Sequence, residues 1–387
     1  MKILYILHIT KMHGATLSFL TMLKGLVLKG IDPVVVMPQE NADLCKKLKE
    51  IGAKVYVVKR EYNAWQNIYN WHTVVKYPYL MTKQFLVRRQ QVKRLKRIII
   101  DEKIELVHTN VGPIYAGHDA AHSLNIPHVW HIREYGDLDF GIRMLPSKSY
   151  FRKKLHQDWV ITITNDLLKY NELENCPRAC TIYNGVRKKD EVFLEHSRNL
   201  QFLCASRVIP PKGHEMVIEA FAEFCKKDQS YSLVILGDGQ QSFINHLKQK
   251  AEILGCGNRV IFQGRVNNVT DYMKKSKALI VASVSEGFGR MTAEAAFAGC
   301  PVIGRNTGGT KEILETTGGF LFNDEEELLN CMIKMAKIPN EEYFSMIVKA
   351  QKMAKELYSE ESYVEKVYDV YKKALKYQGL NSDNQPN

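Results

Sequence analysis

Residues 2–37 read KILYILHITKMHGATLSFLTMLKGLVLKGIDPVVVM, and this stretch decides the class of fold. Its first seven residues form a short, almost uniformly apolar run, which suits a parallel strand buried on both faces. A glycine turn at 13–16 follows, then leucines at helical spacing from Leu17 to Leu26, and then Gly30 as a helix stop. A second apolar strand is predicted at 33–37. Strand, turn, helix, glycine and strand make a βαβ unit, so the sequence predicts an α/β fold with a parallel sheet.

The same rhythm continues through the first half of the chain and begins again in the second half. Further strands are predicted in the first half at 54–58, 106–108, 128–131, 160–163 and 180–183. In the second half they are predicted at 200–205, 232–236, 260–262, 278–281 and 301–303. Repetition of a whole α/β unit predicts two Rossmann-like, doubly wound domains facing a central cleft.

A polar and charged stretch, Arg187 to Asn199, is the predicted linker between the two domains. We place the first domain at 1–190 and the second at 191–357. An amphipathic helix is predicted over 358–378. Its apolar face carries Tyr363, Val367, Val370, Tyr371 and Leu375.

Composition favours a soluble globular protein, with 45% hydrophobic and 25% charged residues among 387. No stretch approaches the roughly 18–20 apolar residues that a membrane span requires. The apolar run from Met1 to Leu7 passes into His8 without a small-residue cleavage site, so we expect no signal peptide. The eight cysteines are scattered and include no paired CxxC motifs, which favours reduced thiols over a cysteine zinc site. The expected location is the cytoplasm.

The net charge of +12 suggests a polyanionic partner. Residues 83–97 carry seven cationic residues and no acidic one, and Phe85, Leu86, Val92 and Leu95 lie among them at roughly helical spacing. A basic amphipathic helix of this kind can lie on the anionic inner face of the plasma membrane. The alternative is a solvated helix face over a buried apolar stripe. Nucleic-acid binding rests on net charge alone, with no recognition motif, so no nucleic-acid partner is expected.

A glycine-rich loop follows the predicted strand at 278–281 and opens an alanine-rich helix, since residues 285–295 read SEGFGRMTAEA. The first amides of that helix, around Arg290, Met291 and Thr292, form an anion site suited to a diphosphate. An acid facing the phosphates would repel them. Glu294 is therefore assigned to a diol such as a ribose, and Glu286 to hydroxyls of a donor sugar. The alternative is a glycine-rich turn with two solvated acids.

Arg207 and Lys212 follow the first strand of the second domain. This places both cations at the carboxyl edge of the sheet, where doubly wound folds bind ligands. Opposite a diphosphate they would neutralise the charge that develops on a leaving group.

These motifs occur together with YNGV at 183–186, LGDG at 236–239 and GCPVI at 299–303. In this order they resemble the retaining glycosyltransferases of family 4, which implies the GT-B fold and metal-independent transfer with retention. The resemblance further implies a hexosyltransferase that takes its sugar from a nucleotide-diphospho-sugar, with UDP favoured and GDP-mannose as the alternative. The acceptor would be a saccharide or a lipid-linked sugar in capsular, exopolysaccharide or glycolipid synthesis. A GT-B enzyme of another reaction, such as an epimerase, is the competing hypothesis.

For the phosphates of the donor, the resemblance implies contacts from both domains. Arg207 and Lys212 would bind the diphosphate, together with the amides of Met291 and Thr292. Gly14 would border the phosphates from the first domain. No metal ligand and no cofactor are assigned, because cations and a helix terminus already neutralise the phosphates.

For the sugar and the base, the resemblance implies two catalytic residues, Glu286 at the sugar hydroxyls near the reacting carbon and His131 beside the sugar. Glu294 would hold the ribose hydroxyls. The C-terminal helix would pack back on the first domain. The remaining residues assigned to the donor site are Gly287, Phe288, Gly289, Arg290, Arg265 and Val266, the last two flanking the base.

Overall fold

The computed structural model of the chain describes residues 1–12, 14–59, 64–66 and 71–382. It describes their side chains except at 64–66, 71–76, Phe140 and 378–382. His13, in the predicted glycine turn, lies outside the described residues. The chain forms two compact units: unit 1 comprises Met1–Gly185 and the chain from Glu360 onward, and unit 2 comprises Val186–Ser359.

Unit 1 is a parallel α/β unit with one additional antiparallel pair of short strands. Its strands are β1 (Lys2–Leu7), β2 (Asp32–Met37), β3 (Lys54–Val57), β4 (Ala64–Gln66), β5 (Leu106–Asn110), β6 (His128–Ile132), β7 (Ile142–Met144), β8 (Trp159–Thr162) and β9 (Ala179–Thr181). Its helices are α1 (Gly14–Leu28), α2 (Ala42–Glu50), α3 (Trp71–Asp101), α4 (Tyr115–Ser123), α5 (Asp137–Phe140), α6 (Lys148–Leu155) and α7 (Asn165–Tyr170), and the final helix of the chain is α15 (Glu360–Ser382).

The main sheet of unit 1 has the order β3-β2-β1-β5-β6-β8-β9, while β4 and β7 pair antiparallel outside it. All neighbours within the main sheet are parallel. After Lys2, strand β1 is apolar, and both of its faces are buried. Ile3 and Tyr5 belong to the core that includes α1, whereas Leu4 and Ile6 belong to the core that includes α3 and α4.

Helix α15 packs on α1 and completes the core of unit 1. Tyr363, Val367 and Tyr371 are fully buried there. The hydroxyl of Tyr371 lies 2.7 Å from Nδ1 of His108 on β5. The apolar face of this helix therefore belongs to the same hydrophobic core as the first βαβ unit of the chain.

Unit 2 is a second parallel α/β unit. Its strands are β10 (Asn199–Ala205), β11 (Ser232–Leu236), β12 (Val260–Gly264), β13 (Ser276–Val281), β14 (Val302–Arg305) and β15 (Phe320–Phe322). Its α-helices are α8 (His214–Cys225), α9 (Gln241–Ile253), α10 (Val269–Lys275), α11 (Arg290–Phe297), α12 (Gly308–Thr317), α13 (Glu325–Lys337) and α14 (Asn340–Leu357).

The sheet of unit 2 has the order β12-β11-β10-β13-β14-β15, with every neighbour parallel. Counted within the unit this is the order 3-2-1-4-5-6 of dinucleotide-binding folds. The two faces again bury different cores, with Phe202 and Cys204 on one side of β10 and Leu203 and Ala205 on the other. The prediction of two Rossmann-like α/β domains is confirmed.

The segment predicted as a linker belongs to unit 2. The guanidinium of Arg198 donates hydrogen bonds to the carbonyls of Lys274 and Gly299, at 2.7 and 2.6 Å. The amide of Phe193 donates to the carbonyl of Phe297 at 3.1 Å. The sequence prediction failed here because a polar stretch can satisfy backbone carbonyls of a neighbouring element as well as water. The division of the chain instead falls between Gly185 and Val186 and again after Ser359.

Within the described part of the chain, no helix combines the length and the apolar character that crossing a bilayer requires.

Candidate active site

The sheet of unit 2 contains a topological switch point between β10 and β13, because the chain proceeds from β10 toward one edge and from β13 toward the other. Doubly wound units bind ligands outside the carboxyl ends of the strands at such a point. A cavity of about 210 Å³ lies there. Its polar lining residues are Ser206, Arg207, Lys212, His214, Ser283, Glu286, Arg290 and Thr292.

Lys212 is placed by a short 3₁₀ turn, Pro210–Lys212, which ends at Gly213 in the left-handed conformation (φ +72°). A side chain at Gly213 would overlap the carbonyl of Ala282 at the end of β13. Glycine therefore lets the turn lie against the strand end, and Lys212 reaches the cavity from that side. Arg207, two residues beyond β10, lines the cavity with an exposed side chain.

Glu286 forms an ion pair with Lys212 inside the cavity. The same carboxylate oxygen accepts a hydrogen bond from Oγ of Ser283 at 2.8 Å. The backbone carbonyl of Glu286 accepts from the amide of Gly309, also at 2.8 Å, which fastens the loop to the start of α12. The two residues predicted to serve the diphosphate and the donor sugar are thus direct neighbours.

Helix α11 begins after Gly289, whose φ of +82° and ψ of +50° turn the chain from the loop into the helix. The amide of Thr292 donates to the carbonyl of Gly289 at 3.0 Å. This corrects the prediction that the Thr292 amide is available to a phosphate. The helix itself offers no acceptor to the amides of Arg290 and Met291, which begin its first turn. The hydroxyl of Thr292 is buried beside the cavity without a hydrogen-bond partner among the described residues.

Arg290, the first residue of α11, pairs with Glu294 one turn further along the same helix. Its Nε donates to Oε1 of Glu294 at 2.8 Å, and its side chain also lines the cavity. Nη2 of Arg187 lies 4.0 Å from the other carboxylate oxygen of Glu294. Glu294 is therefore held between two guanidinium groups and does not line the cavity. Its ribose role stays a prediction, and the oxygen that faces Arg187 at 4.0 Å keeps acceptor capacity for it.

Four other residues assigned to the donor site do not line the cavity: Gly287, Phe288, Arg265 and Val266. Phe288 is buried and packs edge-on against the ring of Tyr358. Val266 packs against the core of unit 2, and Arg265 is exposed after β12. For Phe288 the structure shows packing as the side-chain function, which explains why an aromatic residue interrupts the glycines of the loop.

His131 does not lie at an accessible strand end. It is 0% exposed and still pairs within the sheet, opposite Asn110 of β5 and Ile161 of β8. Burial, with the neighbouring Arg133 guanidinium, holds the pKa of His131 well below its usual range, so the ring is neutral. A side chain without accessible surface does not contact a sugar in this arrangement, which speaks against the predicted catalytic role. Strand β6 continues to Ile132, one residue beyond the predicted end.

Arg133 is the first side chain beyond β6, and the sequence analysis assigned it no role. It donates from Nε to Oδ1 of Asn110 at 2.8 Å, from Nη1 to Oδ1 of Asn184 at 2.6 Å, and from Nη2 to the hydroxyl of Tyr363 at 2.8 Å. It thereby connects residues that follow or end β5, β6 and β9 with α15. In the sequence, the position of Arg133 directly after a buried strand could have identified it as a candidate. Gly14 opens α1 in the same unit, with open space where a side chain would stand.

His214 and Ser283 line the cavity of unit 2 but were also missed. Burial lowers the pKa of His214 to about 4, with Lys212 adding to the shift, so this ring is neutral at physiological pH. Ser283 lies two residues beyond β13. Both were detectable by the same rule that selected Arg207, namely their place just after a strand or at the start of the next helix.

Comparisons with known proteins agree with this geometry. The family Glycosyl transferases group 1 matches residues 186–353, and Glycosyltransferase Family 4 matches residues 12–189. An uncharacterized glycosyltransferase of Methanocaldococcus jannaschii is 26% identical over 285 residues, which are 70% of this chain and 75% of that protein. Alpha-monoglucosyldiacylglycerol synthase of Streptococcus pneumoniae is 30% identical over 135 residues, 34% of this chain and 30% of that protein.

The same fold is found in the crystal structure of HepE from Anabaena in complex with UDP, with a TM-score of 0.77 at 19% identity. The match covers 96% of this chain and 100% of that one. The two family matches together run from residue 12 to residue 353, and the match to Glycosyl transferases group 1 contains the whole cavity of unit 2. The chain belongs to the family 4 glycosyltransferases and is a glycosyltransferase of the GT-B fold.

Proposed function

We propose that the chain is a retaining hexosyltransferase that binds a UDP-sugar in the cavity of unit 2. The observation that carries this proposal is the convergence of Arg207, Lys212 and the first residues of α11 on one cavity at the switch point of the sheet. These groups suit a diphosphate, because cations and oriented amides stabilise negative charge without reorganising. UDP is favoured over GDP because HepE, which shares the fold, was solved with UDP.

In the proposed reaction, the oxygen of an acceptor hydroxyl bonds to the anomeric carbon on the face from which the diphosphate departs. The bond between that carbon and the diphosphate oxygen breaks, and the hydroxyl proton passes to an oxygen of the leaving diphosphate. The anomeric configuration is retained. Lys212 stabilises the negative charge that develops on the leaving diphosphate. Glu286 is held in place by Lys212 and Ser283 and accepts hydrogen bonds from the donor sugar.

A thermal-shift panel of nucleoside diphosphates and their sugars tests the donor. UDP at 100 times its Kd should stabilise the full chain by about 2.7 kcal/mol. Lys212→Ala should abolish this response and lower kcat/KM by about 100-fold, the usual effect of removing one such donor. Lys226→Ala removes an exposed lysine of unit 2 and should leave both unchanged.

Two outcomes separate the parts of this proposal. A response to GDP-sugars alone would overturn the choice of base but leave the cavity in place. A folded Lys212→Ala variant with full transferase activity would overturn the role of the cavity itself.

We propose in addition that α3 holds the enzyme at an anionic membrane, where a lipid-linked acceptor is available. Phe85 and Leu86 are 63% and 55% exposed on α3. Further along the same helix the exposed cations are Arg89, Lys93, Arg94 and Arg97. The other side of α3 is buried, with Leu95 in the core of unit 1. The buried side agrees with the alternative of a solvated helix over an apolar stripe, and the exposed side supports the proposed membrane contact. The glycolipid named for the Streptococcus pneumoniae relative supports a membrane acceptor.

Liposome co-sedimentation tests this second proposal. Replacing Arg89, Lys93 and Arg94 by glutamine should abolish binding to anionic vesicles at low salt. Arg88 is left unchanged, because it pairs with Asp119 and stacks on Tyr115. The matched control replaces three exposed lysines of α2 in the same unit, namely Lys46, Lys47 and Lys49. Equal loss in both variants would show a charge effect that is not specific to α3.

A further inference from the structure

Three histidines and one aspartate converge at the amino-terminal edge of the main sheet of unit 1. His118 and His122 lie one turn apart on α4. His128 is the first residue of β6, and Asp158 immediately precedes the neighbouring strand β8. None of them belongs to the cavity of unit 2, and neither the sequence analysis nor the proposed function uses them.

Asp158 is the centre of this cluster. Its Oδ2 lies 2.6 Å from Nδ1 of His118 and 2.7 Å from Nδ1 of His128, and its Oδ1 lies 2.6 Å from Nε2 of His122. The side chain of Asp158 is only 3% exposed. In the described part of the chain it forms no ion pair with a lysine or arginine. The buried carboxylate thus meets three imidazole nitrogens, and nitrogen and carboxylate oxygen atoms gathered in this way are groups that can ligate a cation.

The ring of His128 is held by an outer hydrogen bond, as the rings of metal-binding histidines are, and the ring of His118 is held by aromatic packing. Nε2 of His128 lies 2.8 Å from Oγ1 of Thr109 on β5, so the other nitrogen is directed to the cluster. Trp130 stacks on His118 and meets His128 edge-on. An outer partner that orients a ligating imidazole is the usual second layer of a metal site. Gly117 contributes as well, since a side chain there would press on the hydroxyl of Thr109.

We propose that His118, His128 and Asp158 bind one divalent transition-metal ion, with Zn²⁺ as the reference ion. Their three donor atoms lie within 4.8 Å of one another. Two imidazoles and a carboxylate are a donor set that Zn²⁺ accepts, with a fourth position left for water or for His122. On binding, the donors would separate from hydrogen-bond distance to about 3.3 Å, as tetrahedral bonds of about 2.0 Å require.

The proposed role of the ion is structural. It would tie α4 to the first residues of β6 and β8, at the edge of the sheet opposite to the carboxyl ends. His122 is 44% exposed and borders the cluster, which gives the ion a path from solvent. This inference departs from the expectation of a metal-free chain but leaves the donor cavity of unit 2 without a metal.

Zn²⁺ binding to the full-length, tag-free chain after chelator treatment tests the proposal. Calorimetric titration should give one Zn²⁺ per chain, and excess Zn²⁺ should raise Tm by about 5 °C or more. His118→Gln and His128→Gln should each remove the saturable site. His246→Gln, which replaces an exposed histidine paired with Glu215 in unit 2, should leave it unchanged.

A measurement on the wild type covers the case in which the buried variants do not fold. Co²⁺ should bind with the same stoichiometry, give the intense visible absorption of a low-coordinate site, and be displaced by Zn²⁺. Absence of a one-to-one site in the wild type, or unchanged Zn²⁺ binding in folded His118→Gln and His128→Gln variants, would overturn the proposal. UDP stabilisation measured on the same samples is a separate readout, so failure of the metal site and failure of the donor site are distinguishable.

Discussion

Burial raises the pKa of Glu134 to about 8, and the Asp139 carboxylate adds to the shift. The same group ionises near 4.5 in the unfolded chain, so the folded state keeps the proton between these values. The free energy of unfolding should therefore fall as pH rises through this window, by at most about 1.4 kcal/mol per pH unit. Glu134→Gln removes the titration. The variant should match the wild type near about pH 4.5 and be more stable at about pH 9, as urea midpoints would show.

Glu102 provides a control of opposite sign in the same unit. Hydrogen bonds from Lys54, Tyr56 and Lys2 hold its pKa at about 2, below the ordinary 4.5. The stability that this acid contributes is present above pH 4.5 and is lost as pH falls toward 2. Glu102→Gln should therefore be less stable than the wild type at neutral pH. If both variants changed stability in the same direction at neutral and alkaline pH, the local assignments of charge would be wrong.

At the scale of elements, the start of α11 depends on Gly289. Its φ of +82° is costly for any residue with a side chain, and a Cβ there would lie 3.2 Å from the amide of Thr310 on α12. Gly289→Ala should therefore lower stability by about 1–2 kcal/mol and shift the first amides of α11. We expect the Kd for UDP to rise by about tenfold or more, measured by calorimetry.

Gly255 is the matched control for this change. It follows the C-cap residue of α9 with a φ of +76°, and nothing lies within 4 Å of the position that a Cβ would occupy. Gly255→Ala should lower stability by a similar amount without changing the affinity for UDP. Equal loss of affinity in both variants would mean that general destabilisation, and not the geometry of α11, controls binding.

At the scale of the whole molecule, the two units differ in how the chain builds them. Unit 2 is one continuous segment, Val186–Ser359, whereas unit 1 needs α15 from the far end of the chain. The fragment 186–359 should fold alone and respond to UDP in a thermal shift, because its core and its cavity are drawn from that segment. The complementary truncation after Ser359 should unfold unit 1, since it removes fully buried side chains such as Tyr363 and Tyr371. A cooperative, intact unit 1 in that truncation would contradict this view.

The residues and their spacing determined the class of fold and most of the polar lining of the cavity in unit 2. Apolar runs without alternation predict strands buried on both faces, and parallel strands place whatever follows them at one edge of the sheet. The sequence therefore predicted that one edge of the sheet carries Arg207, Lys212 and Glu286. The buried face of the C-terminal helix could also be predicted, because helical periodicity identifies an apolar stripe. It does not identify the element against which that stripe packs.

Tertiary structure alone decided which neighbour each of these side chains meets. The ion pair between Lys212 and Glu286 joins residues 74 positions apart, and Glu294 meets Arg187 as well as Arg290. Whether His131 or Arg133 leaves the sheet depends on where β6 stops pairing, because His131 lies one residue before the end of the strand and Arg133 one residue after it. The cluster around Asp158 joins three elements that only the sheet order makes adjacent. Sequence patterns encode local periodicity, whereas contacts between distant residues arise from packing, which no local pattern contains.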